Sequence, residues 1–287
     1  MQILDGKALS QKIEKRIISE VIELKAQMGY TPGLAVVLVG QDPASQAYVS
    51  MKKKACDRAG FYSVTHEMPS DISQEAIENT IIMMNKNPNI DGILVQLPLP
   101  PQIDTTKILE LVDPTKDVDG FHPYNVGRLV TNLDGFVPCT PLGVMELLIE
   151  YEIDVKGKNC VVVGASNIVG KPMASLLLNA DATVEICHIM TDDLKRHTLN
   201  ADIVLVGVGV INLIKEDMIK NGAIIIDIGI NRAPNGKLVG DVDFENVSKK
   251  CSYITPVPGG VGPMTIAMLL SNSLKAATIN ARKRGSK

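Results

Sequence analysis

Tryptophan is absent from this chain of 287 residues, and aromatic residues make up only 3% of it. Base-stacking platforms are built from aromatics, so the composition argues against a nucleic-acid surface. Charge of one sign is missing too: 29 Lys and Arg stand against 32 Asp and Glu, a net charge of −3. No basic field is available for a phosphate backbone or an anionic membrane. No apolar run reaches membrane-spanning length, and Met1-Gln2-Ile3-Leu4-Asp5-Gly6 carries no apolar segment of signal-peptide length. The expectation is a cytoplasmic protein with neither a nucleic-acid nor a membrane partner.

Paired cysteines are lacking as well. Cys56, Cys139, Cys160, Cys187 and Cys251 are odd in number, scattered, and form no Cys-x-x-Cys. His66, His122, His188 and His197 show no ligand spacing, so neither a disulfide framework nor a metal is expected. Cys139, between Pro138 and Thr140, is either a nucleophile or a small structural residue. No histidine is paired with it in the sequence, which favours the structural role.

What is present is a globular composition, 45% hydrophobic and 21% charged, long enough for two domains or for one large α/β domain. Apolar runs alternate with helical periodicity. The pattern predicts helices over 7–28, 43–59, 73–86 and 104–111, with strands at 33–39, 62–67 and 91–97. Residues 112–140 are rich in turn formers and read as irregular. After a helix at 142–152 the alternation restarts, with strands at 159–163, 182–187, 202–206 and 223–228. A last helix runs over about 263–283. Strand–helix alternation implies parallel βαβ units. The fold class expected is α/β, with two α/β domains and a cleft between them, the C-terminal one Rossmann-like.

Several motifs carry chemistry. Tyr48 and Lys52 are four residues apart on a predicted helix that Asp42 caps and Pro43 opens, just past the strand Leu34–Val39. Ligands bind at such strand ends in open α/β sheets, and a phenol beside a titratable amine suits a flat substrate that needs proton transfer. On the local sequence alone a solvated face, extended by Lys53 and Lys54, is the stronger reading of the pair. Gln96, past the strand at 91–95, is either a buried core amide or a group that orients an amine. Asp117-Val118-Asp119-Gly120 has too few spaced acids for calcium, and a carboxylate there can accept from an amino-heterocycle.

Val161 to Gly170 reads as strand, glycine loop and helix, the arrangement that sets a pyrophosphate against helix N-terminal amides. Its two glycines, Gly164 and Gly170, do not follow the usual Gly-x-Gly-x-x-Gly spacing. Gly207-Val208-Gly209 and Ile228-Gly229-Ile230 follow further strands, as close approach of a dinucleotide requires. The second strand of this region ends in Cys187-His188-Ile189-Met190, with neither the acid that binds a ribose 2′-hydroxyl nor a base for a 2′-phosphate. Thr255-Pro256-Val257-Pro258-Gly259-Gly260-Val261-Gly262-Pro263 reads as a rigid loop at a helix start.

Taken together, Tyr48–Lys52, Val95-Gln96-Leu97-Pro98-Leu99-Pro100, Lys116–Phe121, Pro138-Cys139-Thr140-Pro141, Gly164–Pro172 and Thr255–Thr265 stand in the order of one family. Over nearly its whole length the chain resembles the bifunctional methylenetetrahydrofolate dehydrogenase/methenyltetrahydrofolate cyclohydrolase (FolD) family. The resemblance implies oxidation of 5,10-methylenetetrahydrofolate with NADP+, then hydrolysis of the methenyl product to 10-formyltetrahydrofolate. It implies a folate-binding catalytic domain over 1–140, completed by a C-terminal helix at 264–287, and a Rossmann-like NAD(P)-binding domain over 141–263. Lys52, Gln96, Tyr48 and Asp119 would be catalytic. Lys52 would move protons, Gln96 would tune it, Tyr48 would border the folate ring and Asp119 would hold the pterin.

The same resemblance assigns Val49, Ser50, Met51, Val95, Leu97, Pro258, Gly259, Gly260, Val261, Gly262 and Pro263 to the substrate. To the cofactor it assigns Gly164, Ala165, Ser166, Ile168, Val169, Ile189, Gly207, Gly209 and Ile230. A homodimer through the cofactor domain is implied too. The chain departs from the family at Ala165, Ile189 and Met190, where many members carry groups that hold the 2′-phosphate. NADP remains the expected cofactor, with NAD possible and Lys171, Lys195 or Arg196 as sources of charge. The alternatives are a monofunctional NAD(P)-dependent methylenetetrahydrofolate dehydrogenase and a silent folate-binding scaffold. The intact set Lys52, Gln96 and Asp119 argues against both.

Overall fold

A computed structural model describes residues 1–285. In chain order the elements are β1 (Gln2–Ile3), α1 (Gly6–Met28), β2 (Gly33–Val39), α2 (Pro43–Ala59), β3 (Tyr62–Met68), α3 (Gln74–Lys86), β4 (Gly92–Val95), α4 (Thr105–Leu111), α5 (Pro123–Val130) and α6 (Cys139–Glu150). They continue with β5 (Asn159–Val163), α7 (Gly170–Asn179), β6 (Thr183–Cys187), α8 (Leu194–Thr198), β7 (Ile203–Val206), β8 (Ile224–Asp227), β9 (Asn231–Arg232), β10 (Leu238–Val239), α9 (Phe244–Val247), β11 (Tyr253–Ile254) and α10 (Val261–Gly285). Ser286 and Lys287, part of the expected C-terminal helix, lie outside the described residues. Among the described residues no helix is long and apolar enough to cross a membrane.

The chain forms two compact units, each discontinuous in sequence. One comprises Lys12–Arg128, Asp134–Cys139 and the chain from Ile266 onward. Its three parallel strands run β3-β2-β4. Every residue of β2 is buried, as a central strand covered on both faces must be. Ile77, Ile81 and Met84 of α3 pack with Ala35, Val37, Val39, Ile93 and Val95 in one core cluster. The other unit comprises Met1–Gln11, Leu129–Leu133 and Thr140–Thr265, with a six-stranded sheet in the order β1-β11-β8-β7-β5-β6. All its pairings are parallel, and its inner strands β5, β7 and β8 read as apolar runs.

Several features differ from the sequence reading: β4 ends at Val95 where the sequence predicts a strand to 97, and α6 starts at Cys139 where it predicts a start at 142. Residues 112–140 are not wholly irregular, because they contain α5. It is only eight residues long, and its glycine, Gly127, weakens the helical signal. The opening residues form β1, which pairs in parallel with β11, and Leu4 N donates to Ile254 O at 2.9 Å. Two-residue strands leave no periodicity to read.

Candidate active site

The three-stranded unit builds a lysine site at the carboxyl ends of its strands. Asp42 caps α2, accepting from Ser45 N at 2.7 Å, and Pro43 occupies the first turn, where its missing N–H costs nothing. The buried stripe of α2 is Ser45, Val49, Lys52, Ala55, Cys56 and Ala59, spaced by three and four residues. Lys52 therefore lies on the buried face, 5% exposed, whereas Lys53 and Lys54 are exposed and Lys53 pairs with Asp57 at 3.2 Å.

Lys52 Nζ donates to Gln96 Oε1 at 3.1 Å and lies 4.6 Å from the centroid of the Tyr48 ring. Gln96 Nε2 donates to Leu97 O at 2.8 Å, and that bond turns the amide oxygen toward the lysine. Burial pushes the Lys52 pKa down, while the nearby Asp119 charge opposes the shift. Asp119 is half-buried, and desolvation raises its pKa to about 6 although Lys52 pulls it the other way. The structure thus assembles Tyr48, Lys52, Gln96 and Asp119 electrostatically. Val49 and Val95 are core residues, at 5% and 4% exposure, and Ser50 and Met51 face outward.

Buried polar groups, of which the sequence reading missed Asn272, hold Asp119 in place. Asp117 accepts from Phe121 N at 3.1 Å, His122 N at 2.8 Å and Asn125 Nδ2 at 2.9 Å, which knots the loop around Asp119. Asn272 of α10 donates to Val118 O at 2.9 Å and Val137 O at 3.0 Å. Cys139 is buried, and its Sγ lies 3.4 Å from Val118 O and 3.7 Å from Asp119 Oδ1. Desolvation raises the Cys139 thiol pKa well above the ordinary value, so it stays protonated and packs as a structural thiol. The legible signal for Asn272 is an amide inside an apolar helix, which needs partners wherever it is buried.

In the six-stranded unit a glycine cradle forms where β5 meets α7. Gly164 has φ +121°, and a Cβ there would meet Gly207 O at 2.9 Å. A Cβ on Gly170 would lie 1.9 Å from Gly164 O. Side chains larger than hydrogen would fill the space between strand end and helix start, so the cradle fits close backbone approach of a pyrophosphate. Ser166 Oγ accepts from Val169 N at 3.1 Å and Gly170 N at 3.3 Å and shapes that turn. Ala165, Ile168 and Val169 are half-buried around it. Ile230 and Val208 are exposed at the ends of β8 and β7, at 56% and 39%.

The remaining predicted residues of this unit fall in two places. Gly259, with φ +108°, and Gly260 form the loop before α10, and a Cβ on Gly262 would touch Ile230 Cδ1 at 3.3 Å. Pro258 is exposed, Pro263 half-buried and Val261 buried. Ile189 and Met190 project fully into solvent at 97% and 80% exposure. Of the charge sources considered for a 2′-phosphate, Lys171 donates to Asn167 Oδ1 at 2.7 Å and Lys195 pairs with Asp217 at 2.6 Å.

A parallel six-stranded sheet with a glycine cradle at a strand–helix junction defines a Rossmann-like dinucleotide-binding unit. Comparison with known proteins narrows this class. Residues 4–119 match the tetrahydrofolate dehydrogenase/cyclohydrolase catalytic domain, and residues 138–281 match the NAD(P)-binding domain of the same family. The chain belongs to the tetrahydrofolate dehydrogenase/cyclohydrolase family. It is 82% identical over 283 residues to the bifunctional protein FolD of Sulfurimonas denitrificans, covering 99% of both chains. Among solved structures it is similar to the bifunctional FolD enzyme of Campylobacter jejuni, with TM-score 0.96 and 55% identity over 97% of this chain and 99% of that one. The Trypanosoma brucei dehydrogenase-cyclohydrolase, complexed with NADP and an inhibitor, superposes with TM-score 0.92 at 39% identity, over 99% of this chain and 98% of that one.

Proposed function

We propose that the protein is a bifunctional one-carbon folate enzyme. It oxidises 5,10-methylenetetrahydrofolate to the methenyl form with NADP+ and hydrolyses that product to 10-formyltetrahydrofolate. The observation that carries the reading is the buried Lys52 amine, held by Gln96 and Tyr48 beside Asp119. A lysine desolvated in this way is neutral at lower pH than a free one and accepts a proton from water attacking the methenyl carbon. As the carbon–oxygen bond forms, that proton passes to Nζ. The resulting ammonium returns it to the folate nitrogen whose bond to carbon then breaks. The proton left on the new carbonyl oxygen goes to solvent.

Gln96 Oε1 directs the amine through this cycle, and Tyr48 supplies an aromatic edge for the folate. Asp119 accepts from the amino-pyrimidine edge of the pterin. The assignment of Val49, Ser50, Met51, Val95, Leu97 and Pro258–Pro263 to the substrate rests on the motif match. Gly164, Ala165, Ser166, Ile168, Val169, Ile189, Gly207, Gly209 and Ile230 are assigned to the dinucleotide, with the glycine cradle as physical support. The bound dinucleotide supplies the hydride acceptor for the first step. We assign 1–140 with the C-terminal helix to the folate reactions and 141–263 to the dinucleotide.

A homodimer through the dinucleotide unit, in the cytoplasm, completes the reading. Its support is the edge strand β6, paired on one side only and displaying Ile186 at 41% exposure. Spectroscopy tests the function. The wild type should accelerate the decay of methenyl-folate absorbance and reduce NADP+ in the presence of methylene-folate. A protein that does the second and not the first is the monofunctional alternative. NAD+ in a parallel cuvette measures the preference left open by Ile189 and Met190.

A further inference from the structure

Asp227 and Asp241 are the buried acids of the six-stranded unit, at 3% and 0% exposure, and neither belongs to the machinery described above. Buried carboxylates persist where donors converge on them. Asp227 closes β8; its Oδ1 accepts from Gly229 N and Asp241 N, both at 3.0 Å, and its Oδ2 from Val242 N at 2.9 Å. Asp241 Oδ2 accepts from Val208 N at 2.7 Å and Gly209 N at 2.9 Å, while its Oδ1 accepts from Asn231 Nδ2 at 2.8 Å. The two acids act in series: Asp227 fixes the backbone of Asp241, and the Asp241 carboxylate fixes the loops after β7 and β8. Glycines make the room. A Cβ on Gly229 would stand 2.3 Å from Asp241 Cγ, and one on Gly240 would stand 1.8 Å from Asp227 Oδ2.

The consequence lies on the opposite side of the loop. Peptide units are planar and trans, so an N–H aimed at Asp241 turns the carbonyl of the preceding residue the other way. Gly207 O does face away, toward Gly164, whose added Cβ it would meet at 2.9 Å. Val208 and Ile230 are displayed beside it as exposed apolar groups.

We propose that Asp241 is a positioning residue for the dinucleotide, with Asp227 as its support. It sets the Gly207–Gly209 and Ile228–Asn231 loops so that their outward carbonyls and apolar side chains receive the pyridine end of the ligand. This rests on the assignment of the six-stranded unit to NAD(P). Steady-state kinetics of Asp241→Ala and Asp241→Asn, with hydrolysis of methenyl-folate measured without dinucleotide, provides the test. Asp241→Ala should raise KM for NADP+ at least tenfold and leave the hydrolysis rate within twofold of wild type. The Asn variant retains one acceptor oxygen and should fall between. An unchanged KM for NADP+ in Asp241→Ala overturns the proposal. So does a parallel fall of both activities, the signature of a merely structural acid. If the wild type reduces neither NADP+ nor NAD+, the dinucleotide reading itself has failed, a result separate from either of these.

Discussion

Lys52 and Gln96 meet through a single hydrogen bond of 3.1 Å, and Leu97 O holds the far end of the Gln96 amide at 2.8 Å. The acceptor aimed at the amine is therefore a neutral oxygen. Gln96→Glu places a carboxylate there, favours the ammonium and raises the lysine pKa. A base that stays protonated does not accept from water, so hydrolysis of methenyl-folate should fall by about 10²-fold or more. Gln96→Ala leaves the amine unguided and should also lower the rate. Stopped-flow absorbance of the methenyl chromophore checks both variants.

Lys52→Met removes the proposed proton carrier and keeps the length of the side chain. Hydrolysis should drop by about 10²–10⁴-fold, the usual contribution of a positioned acid–base group. Stability should not drop with it. A desolvated ammonium is replaced by an apolar group, an exchange that is often neutral or favourable. A urea midpoint clearly below that of the wild type would place Lys52 among the residues that hold the fold.

The difference between what the sequence discloses and what it hides is physical. β2, β5 and the helix at 43–59 were readable because buried parallel strands are unbroken apolar runs and Asp42-Pro43 is a local start signal. The pair Tyr48/Lys52 was visible by spacing, but its burial was not. That Lys52 shares a stripe with Val49 and Cys56 depends on which face of α2 meets the sheet, and Lys53 and Lys54 mask the phase. Asn272, Asp227 and Asp241 were missed, and Asp117 was seen without its structural role, for one reason: each is defined by backbone groups that converge on it, and no side-chain pattern encodes those. Asp227 does follow Ile224-Ile225-Ile226, and an acid at the end of such a run is the trace that sequence retains.

Asp119 sets a pH dependence of definite sign. Its charge favours the Lys52 ammonium, so Asp119→Asn lowers the Lys52 pKa further. The rising limb of the hydrolysis–pH profile should move to lower pH in this variant, while KM for folate increases. Folding responds as well. The Asp119 pKa of about 6 lies above its ordinary 3.8, so the folded state holds the proton more tightly. That contribution is complete below 3.8 and is lost as pH rises through about 6. Asp119→Asn should therefore gain on the wild type between pH values on either side of this window, as urea midpoints would show.

Asn272 holds both strands of backbone that flank the Asp119 loop, through Val118 O and Val137 O. Asn272→Leu takes the amide donor from both carbonyls and leaves Val118 O only the weak Cys139 thiol, at a cost on the order of 1–3 kcal/mol. Chemical denaturation should show the loss. The folate KM should rise at the same time, because the loop that carries Asp119 is released. A variant that loses stability with an unchanged KM would show that Asp117 and Asn125 suffice to hold the loop.

Two helical glycines separate a packing constraint from a helix-propensity effect. Gly170 opens α7, and its added Cβ would stand 1.9 Å from Gly164 O and 2.6 Å from Gly164 C. Both are backbone atoms of the cradle, so Gly170→Ala forces the strand end and the helix start apart. The dehydrogenase reaction should lose more than tenfold in kcat/KM for NADP+. Hydrolysis of methenyl-folate, measured without dinucleotide, should persist because Lys52 belongs to the other unit. Gly127 in α5 is the contrast: nothing lies within 4 Å of its added Cβ. Gly127→Ala should stabilise the protein by about 0.4–1 kcal/mol through the unfolded chain and leave both activities intact. If the two substitutions gave the same dinucleotide KM, the Gly170–Gly164 contact would not be what shapes the cradle.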